Sequence, residues 1–210
     1  MKIIAHRGFW KKLEEKNTIE SFIKAFDSGY GIETDIRDDR GQLVISHDMS
    51  TGTELTLSEF FKLLKGRNLP VAINIKSDGL VIPLKKLVEE YQIQNYFTFD
   101  MSFAESRRYV KANLNPLISL SEFQPKFERI NEYHGVWLDA FEGEWYSPDN
   151  VHYWANTSKT VCIVSPELHG RPHEKLWSNL KKQNAHKIKN LSICTDFPDL
   201  ADRFFNEVTT

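Results

Sequence analysis

Apolar runs of four to seven residues alternate along the whole chain with longer stretches whose apolar positions recur at helical spacing. The runs span residues 2–5, 31–37, 71–76, 96–99, 116–120, 135–139, 159–164 and 191–194. They are too short for helices and rich in Val, Ile and Phe, so they predict buried strands. Residues 18–27, 56–65, 80–91, 102–113, 122–132, 149–154, 174–183 and 198–206 predict helices between and after them. In the first of these Ile19, Phe22, Ile23 and Phe26 fall on one face. Thr56, followed by Glu59, has the spacing of a capping box, and Ser102 and Asp149 are placed to cap the helices they precede.

Eight strands alternating with eight helices predict an α/β fold of the (β/α)8 TIM-barrel class. The alternative, an open doubly wound sheet, needs only about five or six strands. The 210 residues are expected to form one domain, 1–210, with tight loops, and they contain no long linker, low-complexity tract or repeat. In a barrel every βα loop opens on one face. That face would then collect a polar rim of His6, Arg7, Glu33, Asp35, Asn74, Lys76, Asp100, Ser121, Glu122, Asp139, Glu167, His169 and Asp196.

Glu33 and Asp35 are two apart on a strand, so their side chains share one face. Two carboxylates so close repel unless a proton or a cation lies between them. Hard oxygen ligands suit Mg²⁺ or Ca²⁺; the bland alternative is an exposed strand-end pair that binds nothing. Asn74 and Lys76 repeat the spacing on the next long strand, where Asn74 can lend a carbonyl oxygen to a metal and Lys76 can neutralise an anion. His6 and His47 titrate near neutral pH, one able to serve as base and the other as acid. A lone strand-end histidine is more often structural; two beside Arg7 and a carboxylate pair are not so easily dismissed. Metal, guanidinium, ammonium and two imidazoles describe a site for a phosphate ester. No Gly-rich phosphate loop is present, which favours phosphodiester cleavage over nucleotide-driven transfer.

Charge adds an exclusion. With 27 basic and 29 acidic residues the formal charge is −2, so nothing in the bulk electrostatics favours nucleic acid or an anionic membrane. No stretch approaches the roughly 20 apolar residues of a membrane span, and no cleavable leader fits ahead of His6, so a cytoplasmic protein is expected. Cys162 and Cys194 lie in apolar runs and predict buried, reduced thiols. The 14 Phe and 5 Trp predict mainly core filling, including Trp137, Phe141, Trp145 and Tyr146, which could otherwise wall a ligand headgroup. His134, His152 and His186 are expected at the surface, and His169 and His173 in a loop.

Ala5-His6-Arg7-Gly8, Asn17-Thr18 with Ser21-Phe22 and Ala25-Phe26, Ile32-Glu33-Thr34-Asp35, and Val44-Ile45-Ser46-His47-Asp48 together resemble the signature of the glycerophosphodiester phosphodiesterase family. Cys194-Thr195-Asp196-Phe197-Pro198 resembles that family's closing strand-to-helix motif, so the resemblance spans most of the chain in order. It implies a TIM barrel with a divalent-metal site, His6 and His47 as the acid/base pair, and Glu33 and Asp35 as metal ligands. It also implies phosphate contacts from Arg7 and Lys76. The implied reaction is attack on phosphorus by the neighbouring glycerol hydroxyl, then hydrolysis of a cyclic phosphate to glycerol 3-phosphate and an alcohol.

Three departures from the family pattern stand out. Asn74 replaces a usual glutamate in Ile73-Asn74-Ile75-Lys76, which removes one negative metal ligand. Lys16 replaces the glutamate that usually precedes Asn17-Thr18. The stretch 49–56 is a shortened form of the family's insertion after the second strand. These departures motivate two alternatives: the same machinery acting on another hydroxyl-flanked phosphodiester, such as a sugar-phosphate or a lysophospholipid headgroup, and a non-catalytic phosphate-ligand-binding relic.

Overall fold

Each of the eight apolar runs is a strand, and the eight are parallel, as runs buried on both faces require. The structure, a computed structural model, describes residues 1–206. Its strands are β1 (Lys2–His6), β2 (Gly31–Asp39), β3 (Gln42–Ile45), β4 (Val71–Ile75), β5 (Tyr96–Phe99), β6 (Leu117–Leu120), β7 (Gly135–Leu138), β8 (Thr160–Val164) and β9 (Leu191–Thr195). The helices are α1 (Ile19–Asp27), α2 (Leu57–Leu64), α3 (Val81–Glu90), α4 (Phe103–Ala112), α5 (Pro148–Thr157), α6 (Glu174–Lys182) and α7 (Pro198–Asn206). This is a (β/α)8 TIM-barrel fold. β3 is the addition, an antiparallel hairpin partner of β2 that pairs Ile36 with Ile45 and Asp39 with Gln42.

The chain divides into two compact units, one of Ala5–Pro116 and one of Met1–Ile4 with the chain from Leu117 onward. In the first unit the strand order is β5-β4-β2-β1. Register there places Asp35 beside Asn74, so these two polar side chains line up across neighbouring strands, and Asn74 beside Phe99. Helices α1 and α2 pack together through Phe22 and Phe60, whose rings meet edge to face at 4.8 Å. Both side chains are fully buried, each contributing about 1.5–3 kcal/mol of transfer free energy. Thr56 and Glu59 form the expected capping box at α2, and Ser102 caps α4. In the second unit the order is β9-β8-β7-β6, each pair parallel, and Cys162 and Cys194 are buried.

Three local expectations fail, each for a physical reason. Residues 122–132 form no α-helix: Ser121 and Gln124 make a tight turn, and only Ile130–Glu132 coils as a 3-10 turn. Pro125 disfavours helical geometry at Gln124, and Glu122 is engaged elsewhere, accepting the backbone N–H groups of Phe141 and Glu142 at 3.1 and 2.6 Å. The α5 cap is Ser147 rather than Asp149, because Pro148 occupies the first helical position, where a missing N–H costs nothing. In α1 the buried face is Ser21, Phe22, Ala25 and Phe26, leaving Ile19 and Ile23 at 41% and 40% exposure. Small Ser21 and Ala25 let the helix backbone approach closely, so the buried stripe rotates towards them.

Candidate active site

β1 delivers His6 and then breaks, and the break places the next side chain. Arg7 takes a left-handed conformation (φ 57°), which costs a non-glycine residue about 1–2 kcal/mol. Both of its backbone groups are anchored: its N–H donates to the Glu33 carbonyl at 2.9 Å, and its carbonyl accepts the Asn17 N–H at 2.8 Å. Gly8 continues the turn at φ 94°, and a Cβ there would sit 2.3 Å from Ser21 Oγ. Gly8→Ala therefore combines backbone strain with a clash. It is expected to cost about 1–3 kcal/mol, read as a lowered Tm, and to reduce activity by shifting Arg7.

The paired carboxylates of β2 are buried. Glu33 and Asp35 are 2% and 0% exposed on the shared face of β2. Arg7 Nε lies 2.9 Å from Asp35 Oδ2, an ion pair without hydrogen-bond alignment, since Nε has no hydrogen-bond partner. Lys76 Nζ is 3.4 Å from Asp35 Oδ1, and His6 Nε2 is 3.8 Å from Glu33 Oε2. Burial, then repulsion from Asp35, pushes the Glu33 carboxyl well above the usual glutamate range despite Arg7 and Lys76. Such a like-charge pair is relieved by a shared proton or by a cation.

Three oxygens fit that cation. Glu33 Oε2, Asp35 Oδ1 and Asn74 Oδ1 are buried and have no hydrogen-bond partner, and an orphaned buried acceptor costs about 1–3 kcal/mol. Two carboxylates and an amide oxygen form a hard donor set suited to Mg²⁺ or Ca²⁺. Among the described residues no group of three or more His, Cys, Asp and Glu side chains is gathered as a metal cluster; here the third oxygen belongs to an amide.

His47 follows β3, placed beside the site by the β2–β3 hairpin. Its Nδ1 lies 3.0 Å from Asp48 Oδ1, its carbonyl accepts from Arg37 at 3.1 Å, and its side chain is 45% exposed. It lines a cleft of about 700 Å³ with Lys16, Asn17, Ser46 and Met49. The short loop 49–56 beside it is closed on itself, with Glu54 accepting from Ser50, Thr51 and Gly52. The Ser50 bond first, then those from Thr51, hold the Glu54 carboxyl far below its usual range.

Two contributors were not singled out from sequence. Asn17, itself left-handed at φ 58°, accepts from Thr34 at 2.9 Å and donates to Asp35 at 3.4 Å. It thereby ties the cleft around His47 to the carboxylates. Its position in Asn17-Thr18 of the motif was the available signal. Asp100, expected only as rim, accepts from Asn74 Nδ2 at 3.3 Å. The Lys16 ammonium lies over the Trp10 ring, 4.3 Å from its centroid.

In the other unit the rim residues engage one another. His169 Nε2 meets Asp139 Oδ1 at 2.7 Å, and Glu167 accepts from Ser165, Thr195 and the Asp196 backbone. Trp137 and Tyr146 are buried while Phe141 is 45% exposed, and Trp145 donates to the Asp139 carbonyl at 2.7 Å. His134, His152 and His186 are half-buried rather than fully at the surface.

No protein-family model and no curated protein matches the chain. Solved structures do. A glycerophosphodiester phosphodiesterase from Parabacteroides distasonis superposes with a TM-score of 0.69 at 17% identity, covering 97% of this chain and 96% of that one. One from Agrobacterium tumefaciens gives 0.72 at 16% identity, covering 97% and 98%. An Oleispira antarctica phosphodiesterase in complex with the product sn-glycerol-3-phosphate gives 0.66 at 13% identity, covering 99% and 97%. At these identities the likeness is one of fold.

Proposed function

We propose that this chain is a divalent-cation-dependent phosphodiesterase that cleaves glycerophosphodiester-type substrates to glycerol 3-phosphate and an alcohol. The observation that carries this reading is the set of three buried, hydrogen-bond-free oxygens on Glu33, Asp35 and Asn74, flanked by Arg7, Lys76 and His6. Those three residues would hold Mg²⁺ or Ca²⁺, which when bound supplies Lewis-acid stabilisation of charge on the phosphoryl oxygens. Arg7 and Lys76 add fixed positive charge in a partly dry site, where it acts more strongly than in water. Fold likeness to solved glycerophosphodiester phosphodiesterases supports the same reading.

His6 and His47 divide the proton transfers. One takes the proton of the glycerol hydroxyl next to the phosphate as its oxygen bonds to phosphorus. The other gives a proton to the departing alcohol oxygen as its P–O bond breaks. The resulting cyclic phosphate is opened by water with the two roles exchanged, leaving glycerol 3-phosphate. Asp48 favours the Nδ1–H tautomer of His47, which leaves Nε2 as the working nitrogen.

A second reading keeps this chemistry with a larger hydroxyl-flanked phosphodiester, such as a lysophospholipid. It is favoured by the open cleft of about 700 Å³ beside His47 and the compact 49–56 loop. One panel separates the readings: glycerophosphocholine, glycerophosphoethanolamine, lysophosphatidylcholine and a bis-aryl phosphodiester, each with and without EDTA. EDTA-sensitive release of glycerol 3-phosphate from the first two, with the hydroxyl-free bis-aryl ester inert, is expected. Turnover of the lysophospholipid alone supports the second reading. No product from any substrate, with phosphodiester binding retained, would leave only a ligand-binding relic.

A further inference from the structure

Asn74 stands between two carboxylate neighbourhoods, and its amide has one donor end and one acceptor end. Turned one way, Nδ2 would donate to Glu33 or Asp35, which suits a site without a cation. Turned the other way, Oδ1 adds a third buried acceptor without a hydrogen-bond partner beside those of Glu33 and Asp35, where a hard divalent cation would satisfy it. The second arrangement is the one adopted: Nδ2 donates to Asp100 Oδ2 at 3.3 Å, and Oδ1 is buried without a hydrogen-bond partner. Asp100 directly follows β5, whose Phe99 is the register neighbour of Asn74, and a left-handed backbone (φ 60°) places it there. An ionised carboxylate only accepts, so it selects the donor end of the amide.

We propose that Asp100 is a positioning residue that orients the Asn74 amide, fixing Oδ1 as the third oxygen facing a hard divalent cation beside Glu33 and Asp35. The proposal rests on the metal-dependent reading above. A group outside the shell sets the orientation of a group inside it, as carboxylates behind metal-bound histidines do. It also accounts for how a neutral amide can serve at a position flanked by two carboxylates that would otherwise attract its N–H groups.

Calorimetric titration of the full chain with Mg²⁺, and separately with Ca²⁺, tests this in a cycle of Asp100→Asn, Asn74→Asp and the double variant. Asp100→Asn keeps the shape but offers a donor as readily as an acceptor, so the bias on Asn74 is lost and affinity is expected to fall about tenfold or more. Asn74→Asp presents oxygen at either end, so in that background Asp100→Asn is expected to cost less than about threefold. Equal losses in both backgrounds would mean that Asp100 acts through its charge alone and would overturn the proposal. An unchanged Kd for Asp100→Asn would overturn it too. Absence of metal binding by the unmodified chain would instead overturn the metal-dependent reading, and this proposal with it. Melting curves confirm that each variant folds; should Asp100→Asn not fold, Asp100→Ala runs the same cycle.

Discussion

Replacing either His6 or His47 by alanine is expected to reduce turnover of glycerophosphocholine by about 10²–10⁴-fold. Steady-state release of glycerol 3-phosphate measures it. His47→Ala should leave Tm nearly unchanged, because that side chain is 45% exposed and exposed substitutions stay within about 0.5 kcal/mol. The double variant is expected to lose little more than the worse single one, since both protons move around one phosphorus and the pair acts as a unit. A substrate carrying 4-nitrophenol as leaving group assigns the roles, because nitrophenolate departs without a proton. The variant lacking the acid should recover most of its loss on that substrate, and the variant lacking the base should not. Near-normal turnover of glycerophosphocholine by either single variant would remove that histidine from the mechanism.

The sequence made the strands legible because a parallel strand covered on both faces must be apolar throughout. Polar residues stand out against such runs, and His6, Glu33, Asp35 and Asn74 are legible because they interrupt them. Shared register then brought Asp35 and Asn74 side by side. The apolar spacing of segment 122–132 permits a helix. Spacing does not register that Pro125 breaks the turn or that Glu122 is recruited to clamp the backbone of Phe141 and Glu142. Asn17 and Asp100 were hard to read for a related reason. Each owes its place to a left-handed backbone at a loop, and a conformation of that kind in a residue other than glycine leaves little trace in composition or periodicity. His47 follows the short apolar run that is β3, and its motif points to it, while only the β2–β3 hairpin shows how it reaches the cleft shared with Asn17.

Glu33→Gln is expected to move stability in opposite directions with and without a divalent cation. In the metal-free protein, burial and the Asp35 carboxylate raise the Glu33 pKa well above its ordinary value of 4.5. The folded chain therefore keeps a proton that the unfolded chain has released. The stability tied to that proton is fully present below pH 4.5 and is lost as pH rises towards the raised value. Glutamine imitates the protonated acid at every pH, so in EDTA Glu33→Gln should melt progressively higher than the parent as pH climbs from 4.5 towards the raised value. Added Mg²⁺ or Ca²⁺ reverses the order, because the cation favours the ionised form and binding must expel the proton. At about 100 times Kd the parent should gain roughly 2.7 kcal/mol, or about 5–10 °C in Tm for a chain of this size. Glu33→Gln should gain much less. The expelled proton has its own signature: binding heats of the parent should differ between buffers of unlike ionisation enthalpy, and most of that difference should vanish in Glu33→Gln. Parallel melting curves in EDTA, or equal stabilisation of both proteins by metal, would show that Glu33 is neither the protonated member of the pair nor a ligand.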